Sequence, residues 1–338
     1  HHPGTLILGL RTFSNYLVRL VRENALPKII IRNLIDNSEK VISFDEEAYS
    51  ISLMAGHEYK TRSLRFSYSS PTTPKQIYDY DMHTHKRVLL QTQNVPSGHS
   101  ATDYKCERIY IKARDGSDIP VTLLYHSRFI QDGKSPLLLY GYGSYGITIP
   151  ASFRTSILPL VDRGITYAIA HIRGGMAKGY KWYLDGKLQK KENTFNDYID
   201  VGVGLCEKKY TSPGKICAYG GSAGGLLVGA AINQAPKLFA GAVAAVPFVD
   251  VLNTMSDSQL PLTPPEWPEW GNPLINSHDY DCIAAYSPYE NVNENDYPPV
   301  LCLSALKHVD DRLMLCFKAY GQHLEFWCMS QMLSPGQT

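Results

Sequence analysis

No apolar run in this 338-residue chain reaches the roughly 18 residues that a membrane-spanning helix needs. The early run TLILGL is short, meets Arg11 and lacks a small-residue cleavage site, so it does not read as a secretion signal. Charge of one sign is also missing. A net charge of +1 gives no electrostatic reason to expect nucleic acid or an anionic membrane as a partner. The seven cysteines are odd in number and scattered, and no Cys-x-x-Cys occurs. That pattern disfavours disulfides and zinc and suits reduced thiols in the cytoplasm. What is present is ordinary for a globular protein: 44% hydrophobic and 19% charged residues, enough for two domains and a large core.

Residues 1–101 are rich in β-branched and aromatic residues in short runs. KVISF, YSISLM, SLRFSYSS, QIYDYDM and KRVLLQ read as strands, separated by turn-formers such as Pro71, Pro74 and the HTHK tetrad. Such spacing predicts a sandwich, a barrel or a propeller blade. No second copy of the unit is legible. His83-Thr84-His85 suits a polar hairpin turn better than a metal site.

The pattern changes near residue 102. ERIYIKA and DIPVTLLYH flank Asp115-Gly116, a hairpin signal. PLLLYG, ITYAIAHI, KICAYG, GAVAAVPF and PVLCLSA are unbroken apolar runs, as strands covered on both faces require. NDYIDVGVGLCEKKY and AGGLLVGAAINQA lie between them and suit helices. The alternation predicts an α/β domain with a mostly parallel sheet and helices on both faces.

Within it, YGGSAGG places Ser222 between the strand KICAYG and the helix AGGLLVGAAINQA. A tight strand-to-helix turn holds a serine in a strained conformation and lifts its hydroxyl clear of the sheet. Gly220 and Gly224 have no side chains to collide there, and the helix start aims free amides at whatever the hydroxyl attacks. Ser222 is therefore the candidate nucleophile. Its base needs an orienting acid, and Asp310 or Asp311, beyond the strand PVLCLSA, can supply one. The base is the missing part. His323 alone follows Asp310, and a helix plus a strand between acid and base would need about 25 residues or more. His171 and His308 precede the acid and read as packed or exposed imidazoles. GYGSYG, residues 141–146, matches the glycine spacing of a dinucleotide site, but ITIPASF follows where such a site needs a helix.

Longer motifs carry a resemblance. YGGSAGGLLVGAAINQAPKLFAGAVAAVPFVDVLNTM, LLLYGYGSYG, HIRGG, KKENTFNDYID and EWGNP with AYSPYENV resemble the prolyl oligopeptidase family of serine peptidases, in its oligopeptidase B branch. The likeness runs from about residue 40 to Arg312. It implies an α/β-hydrolase domain over 102–338, preceded over 1–101 by the C-terminal part of a β-propeller, the last blade or so. It implies hydrolysis of short peptides with no cofactor and no metal. Ser222 matches the nucleophile, Tyr142 the tyrosine that helps hold the oxyanion beside the Ala223 amide, and Asp310 the acid. Glu266 matches the first of two glutamates that bind a basic side chain. Pro268 stands at the second, and Pro150 and Ser152 replace a further acidic pair. The family's histidine lies well beyond the aspartate, in a glycine-rich loop followed by no counterpart here, so the chain reads as an incomplete copy whose sheet ends in an open apolar edge. Three functions follow as expectations: a serine peptidase, a catalytically dead hydrolase-fold binding protein, or a dinucleotide-binding oxidoreductase.

Overall fold

The structure, a computed structural model, describes residues 4–54, 56, 58–304 and, as backbone, 324–328. Its first part is two antiparallel meanders. One joins β1 (Thr5–Thr12), β2 (Tyr16–Glu23), β3 (Leu26–Asn33) and β4 (Glu39–Val41), in that order. The other joins β5 (Ser50–Leu53), β6 (Ser63–Ser69), β7 (Gln76–Asp81) and β8 (Arg87–Thr92). Alternation turns Val18, Leu20, Ile29 and Ile31 of the first onto Ile51, Leu64, Phe66 and Tyr80 of the second, making one apolar core. There are thus two four-stranded units where the sequence suggested one blade or so. β1 to β3 were missed because the two sheets share folding pattern and not sequence, and TLILGL was weighed only as a leader. The HTHK tetrad turns the hairpin between β7 and β8, with Asp81 accepting from the His83 and Thr84 amides.

The second part is one eight-stranded sheet. Its strands are β9 (Tyr104–Lys112), β10 (Asp118–His126), β11 (Leu137–Tyr140), β12 (Thr166–Ala170), β13 (Ile216–Gly221), β14 (Phe239–Ala245), β15 (Val300–Ser304) and β16 (Leu324–Cys328). Their spatial order is β16-β15-β14-β13-β11-β12-β10-β9. β9 and β10 form the antiparallel hairpin at Asp115-Gly116, β10 runs antiparallel to β12, and every other pairing is parallel. Parallel pairing of β16 with β15, from Val300↔Leu324 to Ser304↔Cys328, occupies the edge that the sequence reading left open.

Both faces are covered, as the unbroken apolar runs demand. Leu123, Leu139, Ala168 and Ala218 point to one side, where α3 (Glu192–Glu207) and α4 (Ala223–Gln234) pack. Leu124, Tyr167 and Ile169 point to the other, against α1 (Leu158–Asp162). α2 (Tyr180–Leu184), α5 (Val251–Met255), α6 (Thr263–Trp270) and α7 (Ser277–Tyr286) complete the shell. This is a propeller-type β part joined to an α/β-hydrolase domain.

Two motifs find a structural reason here. Arg173 of HIRGG is buried and forks onto the fully buried Asp197 of NTFNDYID, with Nη2 to Oδ1 at 2.5 Å and Nε to Oδ2 at 2.9 Å. Its Nη1 donates to Asp115 at 2.5 Å, tying the β9–β10 hairpin to the start of α3. His171, at the end of β12, is buried with Nε2 and Thr122 Oγ1 sharing a hydrogen bond of 2.9 Å. Burial pushes its imidazole down to about 3.

Removing one partner of a buried ion pair strands the other. Asp197→Asn is therefore expected to cost about 3–5 kcal/mol in urea unfolding. The His171 shift has a defined sign. Between its ordinary value of 6.5 and about 3, the unfolded chain binds the proton and the folded chain does not, so stability falls as pH falls. Between pH 6.5 and 5 the wild type is expected to lose stability with a slope approaching ~1.4 kcal/mol per pH unit, and His171→Gln to remove that component. A pH-independent difference between the two proteins would refute this account.

Candidate active site

The chain order of the sheet reverses at β11. From there strands proceed outward through β12 on one side and β13 on the other. Ligands of parallel sheets bind at the carboxyl ends of strands flanking such a switch. The register pairs Tyr140 with Tyr219, so the residues leaving β11 and β13 are neighbours. They are Gly141-Tyr142 after β11 and, at and just past the end of β13, Gly220-Gly221-Ser222.

Ser222 has φ 55° and ψ −121°, a conformation that costs a non-glycine residue about 1–3 kcal/mol. Its backbone is fixed on both sides. The amide donates to Ala245 O at 2.9 Å, and the carbonyl accepts from Gly225 N at 2.8 Å and Phe248 N at 3.1 Å. A methyl group at Gly220 would overlap the Gly224 carbonyl, and one at Gly225 would overlap Pro247. The glycines thus allow strand and helix to meet at the serine. The side chain is left exposed, while Ala223 directly behind it is buried. As the first residue of α4, Ala223 offers an amide with no partner inside its helix.

Tyr142 comes to the same point from β11. Burial raises its phenol above the ordinary range, and the neighbouring Ser222 hydroxyl works in the opposite sense. Ser222 opens on a cavity of about 460 Å³, whose walls include Phe248, Met255, Leu260 and Leu262 as well as Tyr145 and Glu266. Glu266 is the carboxylate of this cavity. Its Oε2 accepts from Tyr145 OH at 2.5 Å and Trp270 Nε1 at 2.7 Å. Pro268, Pro150 and Ser152 are not part of the wall.

The structure therefore brings together Ser222, Ala223, Tyr142 and Glu266. Asp310, Asp311, His308 and His323 lie outside the described residues. His171 is packed in the core as described above. The GYGSYG glycines turn a loop and open no helix, since the next helix begins at Leu158, so the dinucleotide reading loses its structural context. Among the described residues, no group of three or more His, Cys, Asp or Glu side chains is placed to hold a metal. No helix among them is long and apolar enough to cross a membrane.

Sequence reasoning missed Tyr145 in the cavity wall and two residues behind it, Glu269 and Lys191. Glu269 is buried and accepts from Tyr145 N at 2.8 Å and Tyr183 OH at 2.6 Å. Lys191 is buried and donates to Gly143 O and Ser144 Oγ, both at 2.7 Å. In the sequence it sits in the charged stretch KLQKKEN, which reads as a solvated surface; only its place at the head of the motif KKENTFNDYID hinted otherwise.

Comparison with known proteins agrees with this architecture. Residues 151–315 match the prolyl oligopeptidase family, and residues 1–93 match the prolyl oligopeptidase N-terminal beta-propeller domain. The chain is 44% identical over 299 residues to dipeptidyl aminopeptidase BI of Pseudoxanthomonas mexicana, covering 88% of this chain and 41% of that protein. It is 41% identical over 286 residues to protease 2 of Moraxella lacunata, covering 85% of this chain and 41% of that protein. The solved structure of oligopeptidase B from Trypanosoma brucei superimposes with a TM-score of 0.88 at 36% identity, over 97% of this chain and 49% of that one. The chain thus spans about two-fifths of the length of these curated relatives. With both parts of the fold matched by one set of relatives, the chain belongs to the prolyl oligopeptidase family of serine peptidases.

Proposed function

We propose that this chain carries the nucleophile and oxyanion site of a peptidase that hydrolyses short peptides through an acyl-enzyme on Ser222. The observation that carries the reading is the strained Ser222 corner, exposed on a cavity and beside the Tyr142 phenol. The Ser222 oxygen bonds to the substrate carbonyl carbon, and its proton passes to a base. The carbonyl π electrons move onto oxygen, where the Tyr142 hydroxyl and the Ala223 amide donate to the new negative charge. Collapse of this intermediate breaks the C–N bond, and the amine leaves with the proton. Water then cleaves the ester and restores Ser222.

Asp310 is our proposed orienting acid. The base is either His323 or a histidine of a longer chain. Glu266, on a mostly apolar wall, supports a preference for a basic side chain: the apolar walls take the aliphatic stem and the carboxylate takes the cation. In the Trypanosoma structure the named ligand is covalently bound antipain, and a covalently held ligand fits an acyl-enzyme reaction of the kind proposed here. The described cysteines are all free, which supports a reducing compartment such as the cytoplasm.

A fluorophosphonate probe tests the nucleophile. Labelling is expected in the wild type and absent in Ser222→Ala. Label retained by Ser222→Ala, or a wild type that never labels, would leave only a binding role for this surface. Tyr142→Phe is expected to slow labelling by about 10²-fold, the usual loss for one oxyanion donor. If short peptides are cleaved, Glu266→Gln should raise KM for lysyl and arginyl substrates about tenfold, the effect of roughly 1.4 kcal/mol. An unchanged KM would remove Glu266 from the specificity assignment.

A further inference from the structure

The loop that carries Tyr142 does not hold its own shape. Gly143, Tyr145 and Gly146 all have positive φ, at 76°, 56° and 69°. Tyr145 is a bulky residue for which that conformation is strained. A loop of this kind keeps one geometry only when its surroundings impose it.

Two buried charged residues from different elements supply the constraint. Lys191, at the head of α3, donates from Nζ to the Gly143 carbonyl and to the hydroxyl of the fully buried Ser144. Glu269, near the end of α6, accepts the Tyr145 amide on Oε1 and the Tyr183 hydroxyl on Oε2. Three consecutive residues after Tyr142 are therefore gripped, two by an ammonium and one by a carboxylate. The ammonium also lies 4.8 Å from the centroid of the Trp270 ring, and Trp270 in turn donates to Glu266. Neither Lys191 nor Glu269 belongs to the cavity wall.

Among the described residues, Lys191 has no carboxylate in direct contact. Its hydrogen-bond partners are neutral, Glu269 acts on it only at longer range, and burial pushes the amine down to about 7. Burying a cation this way is costly for folding, and a buried charge kept without a direct counter-ion beside a cleft marks a functional place.

We propose that Lys191 and Glu269 are positioning residues that clamp the 143–145 loop and thereby set the Tyr142 hydroxyl against Ser222 and the oxyanion. The proposal rests on the reading of Tyr142 as an oxyanion donor. It makes a specific claim that a general stabilising role does not make: the effect of Lys191 passes through the Tyr142 hydroxyl.

A double-mutant cycle on the full chain tests this, using Lys191→Met for its similar volume, Tyr142→Phe and the pair, with the rate of Ser222 labelling by a fluorophosphonate as readout. Lys191→Met alone is expected to slow labelling about tenfold or more, since small displacements of a catalytic group are costly. In the Tyr142→Phe background the same change should have almost no further effect. Two effects that multiply independently, or a Lys191→Met protein that labels at the wild-type rate, would overturn the proposal.

Amide hydrogen exchange gives a readout that does not need the chemistry. Lys191→Met should speed exchange about tenfold within 143–146 while α4 stays protected; unchanged exchange in that loop would overturn the clamp even if Ser222 never labels. A wild type that fails to label while the exchange prediction holds would count against the peptidase reading and not against the clamp. Should Lys191→Met fail to fold, Glu269→Gln, which keeps the side-chain shape, is expected to show the same loop-confined exchange and the same dependence on Tyr142; the absence of both would overturn the proposal.

Discussion

The left-handed backbone at Ser222 is the constraint on which the rest of the domain depends. A residue with φ 55° and a full side chain is unfavourable by itself. It persists because three separate segments bond to it: Ala245 at the end of β14, Gly225 in the first turn of α4, and Phe248 beyond β14. Those bonds need β13 and β14 in parallel register and α4 laid directly across them, which in turn needs glycine at 220 and 225, while Gly224 leaves room for Gly141 and Tyr142 beside it. The glycine-rich motif is best understood as the minimum clearance for this crossing, and the exposed hydroxyl as its product.

The same logic extends to the neighbouring strand. β11 and β13 lie side by side only because the chain reverses its direction of growth between them. That reversal brings the GYGSYG loop to Ser222, and the loop is itself strained at Tyr145. Two strained turns meeting at one point require support from outside. It comes from buried polar groups whose sequence positions are far apart: Lys191 and Glu269 on the loop, with Arg173 and Asp197 securing the start of α3. Desolvation makes each of these groups costly alone. Together they convert that cost into geometric definition, because none can move without losing a partner it cannot replace from water.

How much of this was legible in the sequence follows from the range of each interaction. Strands β10 to β15 and helices α3 and α4 could be read because their apolar runs are local signals, and Asp115-Gly116 named its hairpin. The corner at Ser222 was readable for the same reason: strand, glycines and helix are contiguous. The start of α3 was placed late, since ENTF reads as polar and the helix is set there by Lys191 and Asp197 reaching inward. β1 to β3 were lost because a β-meander announces itself by repetition, and the two meanders do not repeat each other in residues. Lys191 and Glu269 left almost no local signal. A lysine in KLQKKEN and a glutamate in PEWGNP look like surface charges until the fold wraps around them.

The contrast between Glu266 and Glu269 shows what burial does to chemically identical groups one helical turn apart. Glu266 borders the cavity, and its Oε2 is occupied by Tyr145 OH and Trp270 Nε1 while Oε1 has no such partner described. Glu269 has both oxygens committed to the protein, one to a backbone amide and one to a phenol. The first is therefore free to meet a ligand, and the second is fully used in holding the loop. Tyr145 belongs to both, giving its hydroxyl to one carboxylate and its amide to the other. A cation arriving at Glu266 would pull on Tyr145, whose backbone is held by Glu269, so the side-chain cavity and the proposed oxyanion loop share one mechanical element. In the peptidase proposed above, substrate binding and transition-state stabilisation would be coupled through Tyr145, within the span of a single turn of α6.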